Sequence, residues 1–262
     1  MTSRLRGPMG RWHSYTLDGK PALSVTGVLN KAVAKGALAP AAAKETAIWA
    51  ATHAGELGEL LNEAEWVELA KGAHRRVWDR ARDDGVQVHA IAQQLVYGEP
   101  VETSDPETGE PYGDDVVRMG AQVAQFMDLW GVSPDTALVE TACFNEVTRI
   151  AGTFDLCGTL RDGQRWLIDY KTGASGVWPE TALQLTAYSR MTHVRIGDRD
   201  MLMPPVDRCA ALWVRPDGWE LVPVKSDDAT YQTFVHAIEV ARWAQLRRED
   251  VVGDPMPVPV GT

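Results

Sequence analysis

Cysteine, phenylalanine and long apolar runs are all scarce in this 262-residue chain, which has 3 Cys and 4 Phe. Cys143, Cys157 and Cys209 are scattered and form no Cys-x-x-Cys pair, which argues against both a disulfide framework and a zinc site. They read as buried thiols in strands. No apolar stretch approaches the roughly 18 residues of a membrane span, and the N-terminus lacks a signal-peptide core. The expected location is therefore cytoplasmic, without a membrane partner. Positive charge is short as well: 26 Lys and Arg face 36 Asp and Glu, a formal net charge of −10. Such a surface is poorly suited to gripping a polyanion everywhere, although a cation held in a cleft would still dominate the field near it.

With 45% hydrophobic and 24% charged residues, the chain can bury one substantial core with a helical part appended. Residues 1–135 read as an N-terminal hairpin and helical region, 136–250 as a strand-rich core and 251–262 as a flexible tail, together one compact unit. Residues 1–10 read as loose. A hairpin follows, with strands over 12–17 and 23–26 about an Asp18-Gly19 turn. An alanine-rich helical region spans about 27–53, interrupted at Gly36 and Pro40, and Trp49 in it reads as core rather than as a base-stacking platform.

Residues 56–84 read as a helix with Trp66, Leu69, Ala73, Val77 and Ala81 on one face. Its other face carries Lys71, His74, Arg75, Arg76, Arg80 and Arg82. This face reads equally as a phosphate-backbone contact, with Arg75 and Arg76 as candidates, or as a solvated surface paired with Glu65, Glu68 and Asp79. A separate helix is expected to begin at Gly85 and carry His89. The Pro-, Gly- and acid-rich stretch 99–115 reads as an exposed loop, followed by a helix to Trp130. Glu140, on the next strand, reads as an exposed strand residue in preference to a partner of a metal ligand.

Gly152-Thr153-Phe154-Asp155 and Trp166-Leu167-Ile168-Asp169-Tyr170-Lys171-Thr172-Gly173 form the centre of the chain. The turn-prone Arg161-Asp162-Gly163-Gln164 between them predicts a β-hairpin. Asp169 and Lys171 are two apart, so both project from one face. Carboxylates hold hard divalent cations, and a lysine beside them can orient or deprotonate a water attacking a phosphodiester. The Asp-x-Lys spacing alone is cheap, because Asp18-Gly19-Lys20 shows it too. Parity sets a sharper demand. A two-residue Asp162-Gly163 turn would pair Asp155 with Tyr170 and turn its carboxylate away from Asp169. A shared site requires a shift of one residue, through a three-residue loop of Asp162, Gly163 and Gln164 or through a β-bulge.

Further along, a helix carries Gln184 and Tyr188 on one face. A hairpin is expected over 209–222 about Pro216-Asp217-Gly218, then a helix from about Asp227 to Arg248. The Pro-rich tail reads as extended.

The ordered set Gly85-x-x-x-His89, Gly152-x-x-Asp155, Asp169-Tyr170-Lys171 and Gln184-x-x-x-Tyr188 resembles the PD-(D/E)XK nucleases, in the RecB-like branch that includes CRISPR-associated and phage-type exonucleases. The resemblance implies an α/β fold, a central mixed β-sheet flanked by helices (restriction-endonuclease-like), with the N-terminal helical half above the cleft. It implies His89, Asp155, Asp169 and the Tyr170 carbonyl as ligands for one or two Mg²⁺ or Mn²⁺ ions, with Lys171, Asp155 and Asp169 catalytic. Gln184 and Tyr188 would help hold DNA or the lysine. The four-cysteine iron–sulfur cluster of some relatives is not expected. The implied activity is a DNA exonuclease working on free ends or single strands in recombination, repair or phage DNA processing, with a recombination or replication protein as partner class. A structure-specific endonuclease and a non-catalytic DNA-end-binding module are the alternatives.

Overall fold

In the computed structural model, which describes residues 3–9, 14–57, 59–106 and 108–256, the chain is an α/β protein with a curled mixed sheet of ten strands. Its N-terminal part runs β1 (Leu5–Met9), β2 (Ser14–Leu17), β3 (Lys20–Ser24), α1 (Val25–Ala32), α2 (Leu38–Thr52), α3 (Glu63–Tyr97) and α4 (Asp114–Trp130). The remainder runs β4 (Leu138–Asn145), β5 (Ile150–Thr159), β6 (Arg165–Lys171), α5 (Glu180–Ser189), β7 (His193–Ile196), β8 (Arg199–Leu202), β9 (Arg208–Arg215), β10 (Gly218–Pro223), α6 (Asp228–Trp243) and α7 (Arg248–Val251). Among the described residues no helix is long and apolar enough to cross a membrane.

Residues 5–9, expected to be loose, form an edge strand on β2. The β2–β3 turn is at Asp18-Gly19, both with positive φ (52° and 72°), the backbone that two-residue hairpins favour. Trp12 and His13 of the expected hairpin, and tail residues 257–262, lie outside the described residues. Pro40 does not interrupt a helix: it sits in the first turn of α2, where its missing N–H has no intrahelical partner to lose. The break falls between α1 and α2, in the stretch that holds Gly36, as expected for that residue.

Nor does a new helix start at Gly85. α3 runs unbroken for 35 residues, from the Asn62–Glu65 capping box to Gly98 in the left-handed region. A mid-helix glycine costs about 1 kcal/mol, and the buried Val88, Ile91, Ala92 and Val96 that follow offset it by packing on the sheet. In the first half of α3 the expected apolar face is mostly open, with Leu69, Val77 and Ala81 exposed and Ala73 buried. Trp49, half-buried, stacks on His53 with ring centres 4.4 Å apart and lies tilted against Trp66 at 5.6 Å, so it packs between helices outside the main core.

β5 organises the sheet. One flank pairs with β4. The other pairs in parallel with β3 at Leu23↔Ile150 and Ser24↔Ala151, then antiparallel with β6 from Leu156↔Ile168 to Thr159↔Arg165. Between these two partners, residues 152–155 pair with neither strand, and a fork opens. β6 continues the sheet through parallel pairing with β9, which carries β10. Val88, Val123 and Phe126 of α3 and α4 pack with Leu156, Ile168 and Leu212. Val28, Leu185 and Phe234 of α1, α5 and α6 pack with Phe154, Leu167 and Cys209. β3 thus ties the N-terminal hairpin into the same sheet as the strand-rich core.

Candidate active site

The β5–β6 loop consists of Arg161, Asp162 and Gly163, because Leu160 and Gln164 close it through a backbone hydrogen bond of 3.1 Å. Asp162 fixes this choice by accepting from the Gln164 amide and the Trp166 indole, both at 3.0 Å, and Gly163 supplies φ +77°. The loop is one residue earlier than the sequence suggested, but it is a three-residue loop. It leaves Asp155 in register with Asp169, one step past the last ladder pair.

Asp155 does not continue the ladder. Its Oδ2 accepts the Tyr170 amide at 2.7 Å, so a side chain takes up the backbone donor left where the strands part. The two strands do not present one shared face here. Phe154 and Leu156 share parity yet pack in different cores, so β5 switches sides at Asp155. β4 switches at the facing position: Val139 packs with α3 and α4, Cys143 with α1 and α5, and between them Glu140 has φ +44°. The fork brings the site together where a single strand face would not.

On the α3 side, His89 Nδ1 lies 3.0 Å from Glu140 Oε1 and 3.7 Å from Asp155 Oδ1. One ligand atom from each of His89, Glu140 and Asp155 falls within 4.8 Å of the others. The His89 ring also meets Tyr170 edge-on at 5.4 Å. On the α5 side, Lys171 Nζ is 2.7 Å from Asp169 Oδ2, while the Gln184 amide donates to Asp169 Oδ1 at 2.7 Å and accepts from Lys171 at 3.3 Å. Gln184 therefore clamps the acid and the lysine together. All of these residues line one cavity of about 530 Å³.

The glycines of the motifs have steric causes. A Cβ on Gly152 would lie 2.6 Å from Cε1 of Tyr188, so this glycine makes room for the tyrosine ring. Gly85, one turn before His89, lets α3 approach Thr172, whose hydroxyl would be 3.1 Å from an added Cβ. Tyr188 is buried and packs against Phe154, with its ring also lining the cavity.

The electrostatics reflect carboxylates crowded out of water. Burial, then Asp155, pushes the Asp169 carboxyl up to about 6 against the pull of Lys171. Burial likewise raises Asp155, opposed mainly by His89. Burial would lower His89, but Asp155 and Glu140, with a smaller part from Asp169, outweigh it and hold the imidazole at about 9. For Lys171 the loss of solvation is overcome chiefly by Asp169, and the ammonium is raised. Three acids thus converge on one imidazole and one ammonium. A set of one imidazole and two carboxylates, beside further anionic charge, fits a hard or borderline divalent cation.

Several sequence expectations land differently. Glu140, read as an exposed strand residue, faces His89 and Asp155 and belongs to the candidate ligand group. Local sequence gave no sign of this; the signal was the β4–β5 register, which sets residue 140 against 155. Asp169, expected as a ligand, lies outside that group and is held by Gln184 and Lys171. Tyr170, whose carbonyl was the expected ligand, lines the same cavity, and its amide donates to Asp155 Oδ2. Arg75 and Arg76 do not line the cavity: Arg76 donates to the Leu69 carbonyl at 2.9 Å and its guanidinium lies 5.6 Å from the Trp49 ring centre. Arg82 is the arginine of that face that reaches the cavity, while also pairing with Asp79 at 2.8 Å.

No protein-family model and no curated protein matches this chain. The chemistry of the cavity is read from its own residues.

Proposed function

We propose that this chain is a divalent-metal-dependent deoxyribonuclease of restriction-endonuclease-like architecture that hydrolyses phosphodiester bonds from DNA ends. The convergence of His89, Glu140 and Asp155 beside a lysine–aspartate pair in a single cavity carries this reading. His89, Glu140 and Asp155 would hold the ion, with Asp169 at its edge. Such an ion supplies Lewis-acid activation of a phosphodiester and of the attacking water. The imidazole among oxygen ligands favours Mn²⁺ over Mg²⁺.

The remaining roles belong to side chains. Lys171, at the mouth of the fork, is placed to hold the attacking water or a phosphate oxygen and to offset developing negative charge. Gln184 fixes its direction through the shared contact with Asp169. A module that only bound DNA ends would have no need of a lysine fastened beside buried carboxylates.

End-labelled linear single- and double-stranded DNA and covalently closed circular DNA, incubated with Mn²⁺ or Mg²⁺, test the reading. Linear DNA is expected to be shortened and the circle spared. Cleavage of the circle would make the protein an endonuclease, and bound metal without cleavage of any substrate would sink the enzymatic reading.

A further inference from the structure

The cavity is not closed beyond Lys171. A hollow of about 290 Å³ shares Thr26, Lys171 and Gln184 with it and continues past Trp178. A third hollow, of about 540 Å³, shares Trp178 and Glu180 with the second and runs on to Lys225. Together they form one trough that leads from the fork along α1 and over the start of α5. Its ionisable lining is Lys35, Lys171, Lys225 and Glu180, with Lys171 paired to Asp169 at 2.7 Å and Lys225 to Asp227 at 3.0 Å. The described partner of Lys35 is the neutral Asn30, whose Oδ1 accepts from it at 2.7 Å.

Trp178 stands at the junction of the two outer hollows and is 46% exposed. Its ring therefore offers an open aromatic face to the hollows it borders. Its loop is also pinned. The Trp178 indole donates to Ser175 Oγ at 3.0 Å, and the Trp213 indole donates to the Gly173 carbonyl at 2.9 Å. A pinned aromatic face with lysines on either side, on a path that ends at the candidate site, suits a single nucleic-acid strand, with a base stacked on the ring and phosphates exchanging for the acids beside the lysines.

Resting on the nuclease reading above, we propose that this trough carries a single DNA strand into the site, with one base stacked on Trp178 and neighbouring phosphates beside Lys35 and Lys225. The probe is a fluorescein-labelled 12-nucleotide oligodeoxythymidylate, bound to the full chain in Ca²⁺ and followed by anisotropy. Trp178→Ala is expected to weaken binding about tenfold or more, as loss of one stacked base does, and Trp178→Phe to stay within about threefold of the wild type. An abasic site moved along the oligonucleotide should weaken wild-type binding at one position and have no effect there in Trp178→Ala. Equal affinity of Trp178→Ala and wild type, or equal loss in the Ala and Phe variants, overturns the subsite. Cleavage assays on the same proteins separate the two ideas. Trp178-dependent binding without cleavage by the wild type leaves the subsite standing and removes the nuclease. Cleavage and binding indifferent to Trp178 do the reverse, and a wild type that neither binds nor cleaves removes both.

Discussion

At φ +44°, Glu140 holds a backbone conformation that costs a non-glycine residue about 1–3 kcal/mol. The strain falls where β4 and β5 both change the core they pack against, and it turns a strand residue toward His89. A structural role alone would leave an acid unnecessary there. Glu140→Gln keeps the shape and removes the charge. It is expected to weaken Mn²⁺ binding about 10- to 100-fold by titration calorimetry, the range typical when a group supporting a metal site is lost, with little change in melting temperature. Unaltered Mn²⁺ binding would reduce Glu140 to a hydrogen-bond partner of His89. Lys171 makes the complementary case. Lys171→Ala should retain fold and Mn²⁺ binding while turnover falls by about two to four orders of magnitude, as when a proton-transfer or charge-stabilising group is removed. Near-normal cleavage by this variant would take Lys171 out of the mechanism.

Among the elements, hairpins were legible where turn chemistry is explicit. Asp18-Gly19, Asp162-Gly163 and Pro216-Asp217-Gly218 each mark a turn that is present, and a three-residue loop sets Asp155 in register with Asp169, although the fork and not a shared strand face gathers the side chains. β1, β7 and β8 were not legible, because strands of four or five residues such as His193–Ile196 carry too little alternation to register. The α3 boundary was misplaced for another reason: glycine marks a helix end only where tertiary packing does not override propensity. At Gly85 the packing of Val88, Ile91, Ala92 and Val96 beyond it wins. The glycine serves a close approach to Thr172, as Gly152 serves Tyr188. Neither purpose can be read from composition, yet both explain why the motifs begin with glycine. Gly152→Ala should therefore destabilise by about 1–3 kcal/mol, the usual cost of overpacking a tight core, as measured by urea denaturation. Tyr188→Leu in the same protein should recover part of that loss, since it withdraws the atom that clashes. A Gly152→Ala protein as stable as the wild type would mean that the ring moves aside freely.

Across the whole molecule, the −10 charge and the few cations at the trough constrain how DNA can be held. Much of the positive charge on α3 is already engaged, with Lys71 paired to Glu68 at 2.7 Å, Arg82 to Asp79 at 2.8 Å, and Arg76 set over Trp49. A strand running from the trough into the cavity meets Lys35, bonded to the neutral Asn30, and then Lys225, Lys171 and Arg82, which it must share with Asp227, Asp169 and Asp79. Each single-strand phosphate neutralised contributes about −0.7 to the slope of log K against log salt, so two to four contacts predict a slope of about −1.5 to −3. Lys35→Glu should flatten it by roughly one contact's share, about 0.7. Arg75→Glu combined with Arg76→Glu, some 20 Å along α3 from His89 by helical rise, should leave the slope unchanged. The measurement is oligonucleotide anisotropy over a salt series. A slope steeper than about −5, which would need some seven contacts, or a loss of binding in the Arg75/Arg76 double variant, would place the strand along the α3 face and away from the trough.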